Sequence, residues 1–156
     1  MILGPGRLGI LTKLFRLMEY NLPVPLIGDG SNCYQMISVF DCVTAVMQCV
    51  AHGLPNREYN LGSANPPTVY ALLSGVIKAV GSRSPLIRTN GHFVKKSLAL
   101  LGNLGLSLMY REQYEIADEN YILDISDTQK DLQWEPRFND QDMLSQAYAY
   151  YKGQKK

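Results

Sequence analysis

The sequence predicts an α/β fold, a small mixed unit of short strands and about six helices. Three observations predict it. Apolar residues recur at the helical 3.6-residue period in several stretches, and short runs of β-branched and apolar residues lie between them, bounded by glycine, proline or asparagine. The 156 residues, 46% of them hydrophobic, hold no internal repeat, low-complexity tract or linker. A chain of this size buries one ordinary core and is too short for two full domains, so residues 1–156 read as a single unit.

The first helix is written in Leu8, Leu11, Leu14, Phe15 and Met18, with Lys13, Arg16 and Glu19 off that stripe, and Asn21-Leu22-Pro23 ends it. Val24-Pro25-Leu26-Ile27 reads as a short strand stopped by Gly28-Asp29-Gly30, and Tyr34 to Val39 as a second extended segment after the Ser31-Asn32 turn. Asp41 stands where an N-cap belongs, before a helix carrying Val43, Ala45, Val46, Met47, Cys49 and Val50 that Gly53 closes. Glu58-Tyr59-Asn60-Leu61-Gly62 predicts another strand. Pro66-Pro67-Thr68 introduces a helix with Val69, Leu72, Leu73, Val76, Ile77 and Val80, closed by Gly81-Ser82. Pro85 to Arg88 is a short strand, and Phe93 to Tyr110 forms one or two helices interrupted by Gly102 and Gly105. Tyr121-Ile122-Leu123 is extended, and a short helix capped by Ser126 follows. After the turn Trp134-Glu135-Pro136, an amphipathic helix runs from about Asp140 to Lys152.

Charge excludes some function classes. Lys+Arg 15 against Asp+Glu 14 leaves a formal +1, with no basic block beyond Lys152 to Lys156, so neither nucleic acid nor an anionic membrane is expected as a partner. No apolar run reaches the ~18 residues that span a bilayer, and the N-terminus lacks the order of a signal peptide. Cys33, Cys42 and Cys49 are an odd set without a Cys-x-x-Cys or a histidine pair, which predicts buried free thiols in a reducing cytoplasm and no metal site. His52 and His92 are isolated and suit capping or surface roles.

Gly4-Pro5-Gly6-Arg7-Leu8-Gly9 fits the G-x-G-x-x-G pattern of dinucleotide-binding loops, and Asp29 lies about 20 residues on, where a ribose-binding carboxylate belongs. The loop must follow a full parallel strand, however, and only Met1-Ile2-Leu3 precedes it here. Asp29 also sits inside Gly-Asp-Gly, which reads as a turn. The dinucleotide reading is therefore set below a second one.

That second reading comes from the order of five segments: Gly4-Pro5-Gly6-Arg7, Pro25 to Gly30 (PLIGDG), Ile37-Ser38-Val39-Phe40-Asp41, Glu58 to Ser63 (EYNLGS), and Tyr121 to Pro136 with Asp124, Ser126, Leu132, Trp134 and Pro136. Together they resemble the C-terminal half of the extended short-chain dehydrogenase/reductases, the NAD-dependent epimerase/dehydratases, from residue 1 to about residue 152. The resemblance implies the C-terminal part of a Rossmann-type enzyme without its glycine-loop core, with residues 1–7 as the seam to a missing N-terminal Rossmann half. It implies NAD or NADP in the parent enzyme and none bound by this chain alone. Gly4 and Pro5 would pass near the nicotinamide end of the cofactor. The family's catalytic Tyr-x-x-x-Lys is matched by Tyr148 with Lys152 and by Tyr151 with Lys155, but at the chain end, so both pairs are assigned to helix packing and no catalytic residue is expected here.

The resemblance also implies that this half walls a small-molecule substrate pocket. Sugar-nucleotide members carry Arg-Asp after the Gly-Asp-Gly turn, the arginine pairing with the diphosphate; Tyr34-Gln35 stands there instead, as in branches with less charged substrates. Arg7 or Arg111 could supply the charge from another direction. Substrate-binding candidates are thus Arg7, Tyr34, Gln35 and Arg111. The expected function is the substrate-binding portion of an NAD(P)-dependent epimerase/dehydratase or dehydrogenase acting on a secondary alcohol or ketone. The alternatives are a nucleotide-sugar epimerase with a repositioned phosphate contact and a free-standing binding or assembly module. Apolar surface left bare by the missing half predicts a homodimer or poor solubility. Trp134 reads as a core anchor. Gln133, where the family commonly has glycine, carries no chemistry that the sequence explains.

Overall fold

In the computed structural model, residues 1–6, 8–9, 11–54, 57–90 and 118–154 are described. Among them are four short strands and five helices, against about six helices expected; the segment from Phe93 to Tyr110 lies outside the described residues. The chain packs as two compact units, one of Met1–Leu8, Gln35–Pro66 and Ile122–Lys156, the other of Gly9–Tyr34 and Pro67–Tyr121. The sequence reads as one unit because both are assembled from discontinuous stretches, so no linker marks the change.

In the first unit, β1 (Ile2–Leu3) pairs in parallel with β3 (Ile37–Ser38), Ile2 opposite Ile37 and Leu3 opposite Ser38. The extended segment expected from Tyr34 to Val39 contributes only those two residues as strand, because α2 (Val39–His52) starts directly after it. Its N-cap is Ser38, whose hydroxyl accepts from Phe40 N at 3.2 Å. Asp41, expected at that cap, lies instead in the first turn and is buried, accepting from the backbone N–H groups of Arg137 (3.1 Å) and Phe138 (3.2 Å). Gly53 does close the helix, donating its N–H to Cys49 O at 2.8 Å.

Beneath α2 sits a core of Ile37, Ala45, Leu132 and Trp134, with Cys42, Tyr59 and Leu61 packed on it. Trp134 anchors it as expected, its indole N–H donating to Thr44 Oγ1 at 2.9 Å. The helix α4 (Ser126–Leu132) is started by Asp124 rather than capped by Ser126: Asp124 Oδ1 accepts from both the N–H and the hydroxyl of Ser126. Helix α5 (Asp140–Gly153), capped by Asn139, buries Met143, Leu144, Ala147 and Tyr151. Glu58 to Gly62 forms no strand among the described residues. Side-chain bonds take the place of a ladder, Thr128 donating to Asn60 O at 2.7 Å and Asn60 Nδ2 to Asp124 O at 3.2 Å.

In the second unit, β2 (Val24–Leu26) pairs in parallel with β4 (Leu86–Arg88). Helix α1 (Leu11–Glu19) buries Leu11, Phe15 and Met18, the stripe its spacing predicts. Asn21, in the left-handed region at φ 53°, turns the chain out of it. Helix α3 (Val69–Ala79) is capped by Thr68, which accepts from Ala71 N at 3.2 Å, and buries Leu72, Val76 and Ile77. Each such side chain contributes roughly 1.5–3 kcal/mol on leaving water. The turns after α1 and α3, far apart in the chain, are fastened to each other, with Ser82 donating to Met18 O at 2.7 Å and Arg83 N to Asn21 Oδ1 at 2.7 Å.

Candidate functional site

The Gly4–Gly9 loop can be tested against what a dinucleotide cradle requires. There, the strand before the loop and the strand after the following helix are neighbours in one parallel sheet. Here β1 pairs with β3, whereas β2, the strand after α1, pairs with β4. The loop's glycines have other uses. Gly6 takes φ 81°, open to glycine without penalty, and a Cβ on Gly4 would lie 2.5 Å from Val39 Cγ1. Gly4 and Pro5 line a recess with Leu3, Ser38, Phe40 and Ala147 whose volume is about 10 Å³. That is room for at most one water. Asp29, the would-be ribose ligand, accepts from the N–H (2.9 Å) and hydroxyl (2.7 Å) of Ser31. Those two bonds hold its pKa below the ordinary value and close the Gly28–Gly30 turn.

Of the substrate-binding candidates, Tyr34 and Gln35 are neighbours in sequence that belong to different units. Tyr34 stacks on Tyr121, ring centroids 5.6 Å apart, and burial raises its pKa. The segment around it is zipped to residues 119–121: Asn32 Nδ2 donates to Glu119 O, Cys33 N to Asn120 Oδ1, and Tyr121 N to Cys33 O. Gln35 is buried and its amide serves the fold, donating to Ser63 O at 2.7 Å and accepting from Leu123 N at 2.8 Å. Arg7 and Arg111 lie outside the described residues, as does His92. His52 is exposed at the end of α2.

The two Tyr-x-x-x-Lys matches fall on α5. Tyr151 is a buried packing residue whose ring lies 6.1 Å from that of Tyr148, Lys152 is exposed, and Lys155 is outside the described residues. All three cysteines are free; Cys49 is exposed and Cys33 and Cys42 are half-buried, where buried thiols were expected. Cys42, two turns earlier on the same face of α2, packs on the core, whereas Cys49 near the end of the helix is exposed. Among the described residues no cluster of His, Cys, Asp and Glu could hold a metal, and no helix is long and apolar enough to cross a membrane.

Two features escaped the sequence. Asp41 and Asp140 are buried carboxylates, and Asp140 accepts from Met36 N (3.0 Å) and Ser63 Oγ (2.7 Å). Burial raises the pKa of Asp140 against the pull of those two bonds. Each aspartate sits in a first helical turn, where the type reads as a solvated cap; their partners are distant in sequence, so no local signal finds them. The second feature is an open groove of about 710 Å³ between α2 and residues 133–137, walled by Thr44, Met47, Ala51, Trp134 and Arg137.

No family model matches this sequence. Over 154 residues it is 32% identical to the uncharacterized protein y4nG of Sinorhizobium fredii, covering 96% of this chain and 38% of that protein. Among solved structures it is similar to UDP-glucuronic acid 4-epimerase from Bacillus cereus in complex with NAD (TM-score 0.67, 17% identity, 100% of this chain and 44% of that one). It is likewise similar to dTDP-glucose 4,6-dehydratase from Bacillus anthracis in complex with NAD (0.69, 19%, 98% and 42%). UDP-glucose 4-epimerase from Thermotoga maritima, with UDP-glucose, gives 0.69 at 18% identity, with 99% and 44% covered. These likenesses establish the fold. The mixed α/β arrangement of short parallel strands is one that occurs as part of epimerases and dehydratases of Rossmann type, and this chain spans less than half the length of the proteins it matches.

Proposed function

We propose that this chain is the substrate-binding, C-terminal portion of a longer NAD(P)-dependent epimerase/dehydratase or dehydrogenase of the short-chain dehydrogenase/reductase type. The observation that carries the reading is the coverage: solved enzymes of UDP-glucuronic acid, dTDP-glucose and UDP-glucose each match 98% or more of this chain with 42–46% of their own. In the whole protein, bound NAD(P) would take or return the hydride of a secondary alcohol carbon. The present residues supply pocket wall through Tyr34 and Arg111 and rim through Gly4, Pro5 and Arg7, and the proton-transferring tyrosine and lysine belong to the other half.

A nucleotide-sugar substrate is the second reading, favoured by the UDP- and dTDP-sugar enzymes among the structural neighbours. It needs a cation for the diphosphate, and neither Tyr34 nor Gln35 is one. Arg7 or Arg111 fills that role in this reading.

The test is a chimera in which this chain replaces the matched stretch of the Sinorhizobium protein. Titration with NADH and NADPH is expected to give one-to-one binding to the chimera and none to this chain alone. One-to-one binding to the chain alone, or none to the chimera, overturns the proposal. UDP-glucose binding that is lost in Arg7→Ala decides for the sugar reading.

A further inference from the structure

One wall of the 710 Å³ groove, residues 133–137, is held from behind by the core of the first unit. Trp134 is fixed through its indole N–H to Thr44 Oγ1 (2.9 Å), and the N–H groups of Arg137 and Phe138 donate to the buried Asp41 carboxylate (3.1 and 3.2 Å). Burial alternates along this wall. Trp134 is in, Glu135 out, Pro136 half-buried and Arg137 out, so Glu135 and Arg137 present opposite charges on one side, at most about 7 Å apart along the backbone. Among the described residues neither charge has an ion-pair partner, and the side chains of Gln48 and Gln133, which also line the groove, make no hydrogen bond. Gln133 stands in the left-handed region at φ 48°, a strain that glycine would avoid, and nothing within the fold takes up its amide. The facing wall is α2, which contributes Met47 and Ala51 as its apolar surface.

We infer that this groove seats an extended peptide segment of a partner protein, one that carries opposite charges two residues apart with an apolar residue between them. In an extended chain residues i and i+2 project to one side about 6.6 Å apart, which matches the spacing available to Glu135 and Arg137. Residue i+1 projects to the other side, toward Met47 and Ala51. Each of the carboxamides of Gln48 and Gln133 offers a donor and an acceptor, the complement of a peptide group. Along α2 the groove runs from Thr44 to Ala51, about 10 Å of helix, which is the length of three extended residues. Because the wall is fixed by buried bonds before any ligand arrives, little of the binding energy goes into ordering it. The site lies wholly within the first unit and does not depend on the enzymatic reading.

Trp134, the one tryptophan in the chain, lines the groove and reports its occupation by fluorescence. Titration of this chain with acetyl-Lys-Leu-Glu-amide is expected to change its emission with a Kd of about 1 mM or lower. Acetyl-Lys-Leu-Lys-amide and acetyl-Glu-Leu-Glu-amide should bind at least about fivefold more weakly, because each sets a like charge against Arg137 or Glu135. Acetyl-Lys-Gly-Glu-amide should also bind more weakly, having nothing to pack on Met47 and Ala51. Glu135→Lys is expected to move the preference to the Glu-Leu-Glu peptide, and Arg137→Glu to the Lys-Leu-Lys peptide. Both side chains are exposed, and either reversal decides if the other variant does not fold. Gln133→Gly should weaken binding while raising stability, and unchanged binding overturns the part given to its amide. No response to any of these peptides at about 10 mM overturns the inference, as does equal affinity for all of them or a preference that ignores the charge reversals.

Discussion

Helices α2 and α3 are written alike and used differently. Both follow a polar N-cap, Ser38 and Thr68, and both carry valines and larger apolar residues at helical spacing without a charge in the stripe. In α3 the stripe is buried, with Val76 at 0% exposure; in α2 it is bare, with Val50 at 86%. The α3 stripe finds β4 and the rest of the second unit's core. The core under α2 is reached by Asp41, Ala45 and Cys42 instead, so the larger side chains face out. A hydrophobic period thus tells where a helix has an apolar face, and which partner covers it is a separate matter.

The sharpest way to break this comparison is to put the same charge on both helices. Val76→Asp is expected to cost about 4 kcal/mol or more, enough to abolish the second unit's cooperative transition, because an unpaired carboxylate enters a dry core. Val50→Asp in the isolated chain is expected to stay within about 0.5 kcal/mol and to raise solubility. Urea denaturation followed by circular dichroism measures both, and equal losses would show that the α2 face is covered in the chain itself.

The buried carboxylates sharpen the contrast from the polar side. Asp140 has its pKa raised in the fold, so between the unfolded and folded values the native state keeps a proton the unfolded chain has released. Its contribution is therefore present at low pH and is lost as pH rises through the raised value, at no more than about 1.4 kcal/mol per pH unit. Asp140→Asn keeps an acceptor for Met36 N and offers a donor to Ser63, and it should flatten that part of the profile. Denaturation midpoints measured from roughly pH 4 to 7 test it; an unchanged slope assigns the dependence to other groups.

The smallest effect concerns Gln133, which the sequence left without a role. It ends α4 in the left-handed region at φ 48°, where glycine sits without the clash a Cβ brings. Gln133→Gly should stabilise the chain by about 1 kcal/mol in thermal unfolding, and a loss would mean that the amide side chain has a use of its own.

The α/β class, the position of every described helix to within a few residues, the start of α3 after Pro66-Pro67-Thr68 and the Gly28–Gly30 turn were legible in the sequence because each depends on residues within a turn or two of one another, and Trp134 was legible as a core anchor from its residue type. The G-x-G-x-x-G match was legible and was set below the seam reading on sequence grounds; the strand pairing, β1 with β3 and β2 with β4, adds the ground that a pattern of glycine positions does not record. Only the tertiary structure decided that Asp41 clamps residues 137–138 rather than capping a helix, and that Gln35 spans Ser63 and Leu123. It also decided that α2 turns its valines outward. The first two of those outcomes join residues 28 to 97 positions apart in the chain. Local propensity fixes what a segment can form and which of its faces is apolar, and burial depends on what the rest of the fold brings to that face.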